Sequence, residues 1–176
     1  VTDTATTTAD QVVTITVTGT NDAPTFTLGS ATGPITENDS AGRTATGTIT
    51  LGDLDYANTV TTEVLSVAKS GTGNNAAMTL SNSDLLALMT LTHASLTNTE
   101  VSKAMTWTFN SGSNTFDYLA NAETLILTYT LRATDQNTFN SGATPVTTDQ
   151  TVTITITGTN DTPTITVPNG NSEASS

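Results

Sequence analysis

Residues 150–157 read Gln-Thr-Val-Thr-Ile-Thr-Ile-Thr and run into Gly158-Thr159-Asn160-Asp161-Thr162-Pro163. Almost the same string occurs earlier, as Gln-Val-Val-Thr-Ile-Thr-Val-Thr at 11–18 followed by Gly19-Thr20-Asn21-Asp22-Ala23-Pro24. Between 11–27 and 150–166, thirteen of seventeen positions are identical, and Asp161 lies 139 residues after Asp22. That offset is long for a solenoid unit and suits one whole domain. One repeat unit cut from an array is therefore expected. Residues 1–22 would be the last strand or strands and linker of a preceding repeat, 23–161 the complete repeat, and 162–176 a linker with the start of a next repeat or a tail.

Each copy has the same physical logic. Val13, Ile15 and Val17 alternate with threonines, as do Val152, Ile154 and Ile156. A period of two puts the aliphatic groups on a core and the hydroxyls in water, which is a half-buried strand. Gly, Asn, Asp and Pro then end the pairing, because they favour turns and Pro cannot donate to a ladder.

The 176 residues suffice for one proper core. About a quarter of them are threonine, aromatics are few, and no apolar run reaches the roughly 20 residues of a membrane span. Four Lys plus Arg against sixteen Asp plus Glu give a net charge of −12, which repels phosphate backbones and anionic lipid. Nucleic acid and membrane insertion are thus poor partners. Such an excess is tolerated where cations sit among the carboxylates or where the surface needs solubility, and composition does not separate the two. With no cysteine, disulfides, thiolate metal sites and thiol chemistry are excluded.

Between the two copies the chain reads as short strands and turns. Pro24 to Leu28 opens the domain, and Gly33 to Asp39 is an edge segment leading to a turn. Ala45, Gly47, Ile49 and Leu51 alternate with threonines up to Gly52-Asp53-Leu54-Asp55; Val60 to Lys69 follows, with Val64 and Leu65 breaking the alternation. Ser70 to Asn75 is a flexible turn, and Ser81 to Thr90 is the one helical signal, with Asn82 or Ser83 as its cap. Met105, Trp107 and Phe109 mark another strand with a core tryptophan, and Leu125, Leu127, Tyr129 and Leu131 mark the clearest central one, ending at Asp135. About seven strands with turn signals between them predict an all-β, antiparallel Greek-key sandwich, with one short helix in an insertion.

The carboxylates fall at strand ends, which a sandwich collects at two poles. The entering pole would gather Asn21, Asp22, Asp53, Asp55 and Asp135, and the leaving pole Glu37, Asp117, Asn160 and Asp161. These are oxygen-only ligand sets, and calcium takes six to eight oxygens from carboxylates, amides and carbonyls. Asp-Leu-Asp at 53–55 is equally the composition of a solvated turn.

The boundary Thr-Ile-Thr-Val-Thr-Gly-Thr-Asn-Asp-Ala-Pro (14–24) and the stretch from Thr115 to Asp135 resemble the VCBS and cadherin-like repeats of giant, RTX-type bacterial surface adhesins. The resemblance spans most of 11–163. It implies a cadherin- or immunoglobulin-like sandwich with calcium between neighbouring domains. Glu37 would stand at the early Glu position, Asp53 and Asp55 at the D-x-D, Asp117 in the L-D-R-E segment, and Asp135 at the strand-end aspartate. Asn21-Asp22 or Asn160-Asp161 would be the linker N-D. Gly19 and Gly158 stand where the cadherin linker has its first Asp, and Tyr118-Leu119 replaces Arg-Glu, so fewer ions per boundary are implied. The implied function is that of a calcium-stabilised structural spacer, secreted or on the bacterial surface, active in adhesion and biofilm, monomeric in itself and contacting neighbouring repeats.

Two other functions stay in view. The insertion from Ser70 to Glu100 could form a lip for a host or cell-surface glycan or protein. An enzyme would have to work through His93, the only histidine, with Ser or Thr and Asp beside it, and nothing in the spacing suggests this. A non-enzyme is expected. Carboxylate pairs for glycoside hydrolysis lack the accompanying aromatics, and Thr-x-Thr rows are the solvent face of strands.

Overall fold

The computed structural model describes residues 10–38, 42–56, 59–92, 95–136, 144–163 and 165. His93, Asp39, the stretch 1–9 and most of 164–176 lie outside it. Nine strands and one helix are described: β1 (Thr25–Leu28), β2 (Thr32–Thr36), β3 (Thr44–Gly52), β4 (Val60–Ser70), α1 (Asn82–Ala87), β5 (Met89–Leu91), β6 (Ser95–Leu96), β7 (Ser102–Asn110), β8 (Thr124–Asp135) and β9 (Val146–Thr157). They form two sheets, ordered β1-β3-β7-β5 and β2-β9-β8-β4-β6. The two strands beyond the expected seven or so are the short β5 and β6, both inside the insertion.

All pairings are antiparallel except one. β2 runs parallel to β9, from Thr32 opposite Thr153 to Thr36 opposite Thr157, so the second sheet is mixed. β8 is the centre of that sheet. Its inner residues Leu125, Leu127, Tyr129, Leu131 and Ala133 are wholly buried, together with Val152, Ile154 and Ile156 of β9. They pack against Ile49, Leu51, Met105, Trp107 and Phe109 of the facing sheet. Phe109 and Tyr129 meet with ring centroids 6.3 Å apart at a 59° tilt, an arrangement that places ring edges against ring faces. Trp107 fills the space that Gly47 leaves open, where a Cβ would stand 2.5 Å from the indole, and its Nε1 donates to the Ser30 carbonyl at 2.9 Å.

The break in alternation at Val64 and Leu65 is a bulge: the β4–β8 register slips between Val64 and Ser66. The helix is capped by Ser81, one residue before Asn82 and two before Ser83. The Ser81 side chain accepts from the Asp84 amide while the Asp84 carboxylate accepts from the Ser81 amide. Leu85 is fully buried and Met89 nearly so, and Leu86 and Leu88 are half-buried. The insertion thus covers the core and presents no open apolar face at 85–89.

Residues 10–20 lie outside both sheets, fully exposed, although they repeat the sequence of β9. A strand pattern needs a partner to become a strand, and among the described residues the place between β2 and β8 is already held by β9.

Candidate functional site

The strand ends define the poles. At one of them β1 starts, β3 ends in Gly52-Asp53, and β8 ends at Asp135 opposite Val60 and Val146. The linker joins here: the Asp22 amide donates to Asp55 Oδ2 at 2.6 Å, and the Pro24 carbonyl accepts from Thr148 Oγ1 at 2.6 Å. Within the turn, the Asp55 amide donates to Asp53 Oδ1 at 2.8 Å, while the Asp53 amide donates to the Val101 carbonyl at 2.9 Å.

Asp53 is 5% exposed and Asp135 is wholly buried. Burial, and then the carboxylates of Asp135, Asp55 and Asp22, push the Asp53 carboxyl above its ordinary value, against the lowering effect of the Asp55 amide. Asp53 Oδ2 is buried without a hydrogen-bond partner. Lys103 and Arg132 are tied to Glu100 and Asp149, so their charges are engaged elsewhere. Of the five residues expected at this pole, Asp22, Asp53, Asp55 and Asp135 interact with one another. Asn21 stands beside them, its amide donating to the Asp22 carbonyl at 3.2 Å. Among the described residues, no three carboxylate or imidazole groups stand close enough, as they are, to hold one metal ion. Exposed Leu54, Tyr56 and Val101 surround the acidic turn.

At the opposite pole Glu37 is 2% exposed. Its Oε1 accepts from the Thr159 amide at 2.7 Å and from the Thr159 hydroxyl, which holds the departing linker against the end of β2. Glu37 Oε2 is buried without a partner. Gly158 is needed here, because a Cβ would meet the carbonyl oxygens of Ala120 and Leu119 at 2.4 and 2.5 Å. Asn160 is exposed and Asp161 half-buried just beyond. Asp117 is exposed on the wall of a surface cleft of about 320 Å³ between residues 77–80 and 113–118. In that wall Phe116 has φ 65°, a left-handed conformation uncommon for a bulky residue. Tyr118 donates its hydroxyl to the Gly73 carbonyl at 2.9 Å.

Spacing did not point to the Val101 carbonyl or Thr159. The first lies just past the insertion and the second in a linker whose threonine looks like any other; only the signal of the repeat itself, Thr20 matching Thr159, marks the latter.

No family model matches the chain. No curated protein matches it either. Among solved structures, the chain is similar to the ASH / PapD-like domain of human CEP192 (PapD-like domain 7), at 11% identity and TM-score 0.46, over 89% of this chain and 99% of that one. It is similar to the CooA pilin subunit from enterotoxigenic Escherichia coli, at 9% identity and TM-score 0.47, over 78% and 99%. A third is AggA, the major subunit of aggregative adherence fimbriae type I from Escherichia coli, at 13% identity and TM-score 0.41, over 80% and 97%. Among the described residues no helix is long and apolar enough to cross a membrane. The chain's own strand order is that of a two-sheet β-sandwich.

Proposed function

We propose that this domain is a calcium-stabilised structural spacer, one β-sandwich in a row of VCBS or cadherin-like repeats that extends an RTX-type adhesin away from a bacterial surface. The observation that carries the proposal is the buried, unpartnered Oδ2 of Asp53, set among the carboxylates of Asp22, Asp55 and Asp135 where the linker joins. The donor set is oxygen-only, as calcium prefers. A cation would draw the carboxylates closer than they stand now, neutralise their repulsion, and fix the linker through Asp22. Glu37, Asn160 and Asp161 offer a similar set to a following repeat, and Asp117 a further carboxylate towards it. The role is mechanical rather than catalytic, and the neighbouring repeats are its partners.

The test is a thermal melt of the full chain, stripped with chelator, then in millimolar calcium or magnesium. Calcium at about a hundred times its dissociation constant stabilises by about 2.7 kcal/mol, or about 5–10 °C for a domain of this size. Magnesium should do less, and Asp53→Asn with Asp55→Asn should abolish the rise. A melt indifferent to calcium overturns the proposal.

One observation favours a second role. The cleft lined by Met78, Leu80, Phe116, Asp117 and Tyr118 combines apolar and polar groups around a left-handed Phe116, and strained backbone gathers at binding sites. It would suit a glycan or peptide; saturable shifts of Tyr118 and Asp117 resonances in a glycan or peptide screen would move the function there.

A further inference from the structure

Of the four cationic side chains, three are engaged: Lys103 with Glu100, Arg132 with Asp149, and Lys69 Nζ with the Leu80 carbonyl at 3.4 Å. Arg43 differs. Its guanidinium pairs with no carboxylate among the described residues, and its Nε is buried without a hydrogen-bond partner. A buried donor left unsatisfied costs stability, and a chain with sixteen carboxylates offers it none.

The main chain that carries this guanidinium is fixed. The Arg43 amide donates to Ser111 Oγ at 2.8 Å, its carbonyl accepts from the Ser111 amide at 2.9 Å, and Ser111 is itself buried. Gly42 sits where a Cβ would run into the Gly112 carbonyl. Arg43 is therefore held in place before any ligand arrives, on the wall of a surface cavity of about 310 Å³ lined by Pro34, Ile35, Thr36, Arg43 and Thr44.

This cavity lies against β2, an edge strand. The Thr153 amide donates to the Ala31 carbonyl and the Glu37 amide to the Thr157 carbonyl, so the parallel ladder uses the odd-numbered residues of this segment. The amide and carbonyl of Thr36 thus face away from β9, towards the open edge. Pro34 faces the same way and has no N–H, which denies an added peptide strand one of its rungs. What is left suits a small ligand: one fixed cation, the Thr36 amide, exposed threonines at 36 and 44, and the exposed ring of Pro34. Glu37, the next carboxylate along, is bound through Oε1 to Thr159 of the departing linker.

We propose that this cavity binds an acidic sugar of the uronic acid type, with its carboxylate on the Arg43 guanidinium and its hydroxyls on Thr36 and Thr44. A guanidinium fork matches one carboxylate in two parallel hydrogen bonds. The net charge of −12 repels a polyanion and repels a single carboxylate on an otherwise neutral ring far less. The volume is at the lower end for ligand sites and suits one ring. This inference rests on neither calcium nor the spacer role.

The test is a titration of the full chain, freed of calcium, followed through its backbone amide resonances. The probes are methyl glucuronide, the neutral methyl glucoside, acetate, inorganic phosphate and a short peptide with a free C-terminal carboxylate. Methyl glucuronide should bind saturably and shift Thr36, Arg43 and Thr44, and the glucoside should bind at least about tenfold more weakly. Arg43→Gln should weaken glucuronide binding by about tenfold or more with the β8 and β9 resonances unmoved, and Arg43→Lys should recover only part of the loss. Thr44→Val should weaken the glucuronide and leave acetate unchanged. Should Arg43→Gln disturb the fold, the comparison of glucuronide with glucoside on the wild-type chain decides. Absence of saturable shifts, shifts that survive in a folded Arg43→Gln chain, or acetate, phosphate, the glucoside or the peptide binding as tightly as the glucuronide, overturns the proposal.

Discussion

The backbone amide of Asp22 donates to the Asp55 carboxylate at 2.6 Å, so one acidic turn both buries Asp53 and anchors the incoming linker. Asp55→Ala removes that acceptor and leaves the bond from the residue 55 amide to Asp53 Oδ1 in place. The sandwich should therefore keep its fold while the linker loosens. Hydrogen exchange at Asp22 is expected to speed up about tenfold or more, with the β8 and β9 amides unchanged. Unaltered exchange at Asp22 would show that the linker is held by something else.

Acid should act on Asp53 in an unusual direction. Its carboxyl is raised by burial and by neighbouring carboxylates, so ionisation costs stability at neutral pH, and the cost is relieved as pH falls through the raised value. Asp149 is held low by Arg132, Asp84 by Ser81, and Glu100 at about 2 mainly by the Thr97 amide. Those three contribute stability above their unfolded values and lose it on acidification, which masks Asp53 in a simple titration. Comparison with Asp53→Asn removes the mask. Without divalent ions at pH 7 the variant should be more stable by about 1 kcal/mol, about 2–4 °C, and the gap should close as pH drops. Calcium should invert the ranking. A variant less stable than wild type in chelator at pH 7 would refute the electrostatic account.

The strands were legible wherever one face is buried. The threonine alternations at 44–51, 124–132 and 151–157 fall in β3, β8 and β9, although β9 starts earlier, at Val146, in a stretch that reads as loop up to Asp149, and the irregularity at Val64 and Leu65 is the bulge in β4. Local pattern says nothing about partners, however. The parallel pairing of β2 with β9 joins segments about 120 residues apart, and β5 and β6 are too short for periodicity to register. The convergence of Asp22, Asp53, Asp55 and Asp135 was legible because strand ends meet at poles. That Asp117 faces a cleft was not, because a loop's direction is set by packing such as that of Phe116 rather than by its composition.

Identical residues in the two copies should differ sharply in cost. Ile154→Ala opens a cavity between the sheets and should lose about 2–5 kcal/mol, whereas Ile15→Ala touches nothing in this domain and should be neutral within about 0.5 kcal/mol. Gly158→Ala should likewise destabilise, by forcing a methyl group into the Leu119 and Ala120 carbonyls, and Gly19→Ala should not. Chemical denaturation of the four variants measures this directly. A large loss at Ile15 would mean that residues 10–20 pack on their own sandwich.

Tyr129 ties the insertion to the core, since its hydroxyl, at the centre of β8, donates to the Leu85 carbonyl at 2.8 Å inside α1. Burial pushes its phenol well above the ordinary range, so it stays a donor at any working pH. Tyr129→Phe keeps the ring against Phe109 and leaves the Leu85 carbonyl with the Leu88 amide as its remaining donor. The expected loss is about 0.5–1.5 kcal/mol. Because the bond lies mid-sandwich, between the poles, the calcium response should be unchanged while the amides of α1 and β5 exchange faster. If instead Tyr129→Phe blunted the calcium response, the insertion would be coupled to the acidic pole, and the Val101 carbonyl that accepts from the Asp53 amide is the first place such coupling could pass.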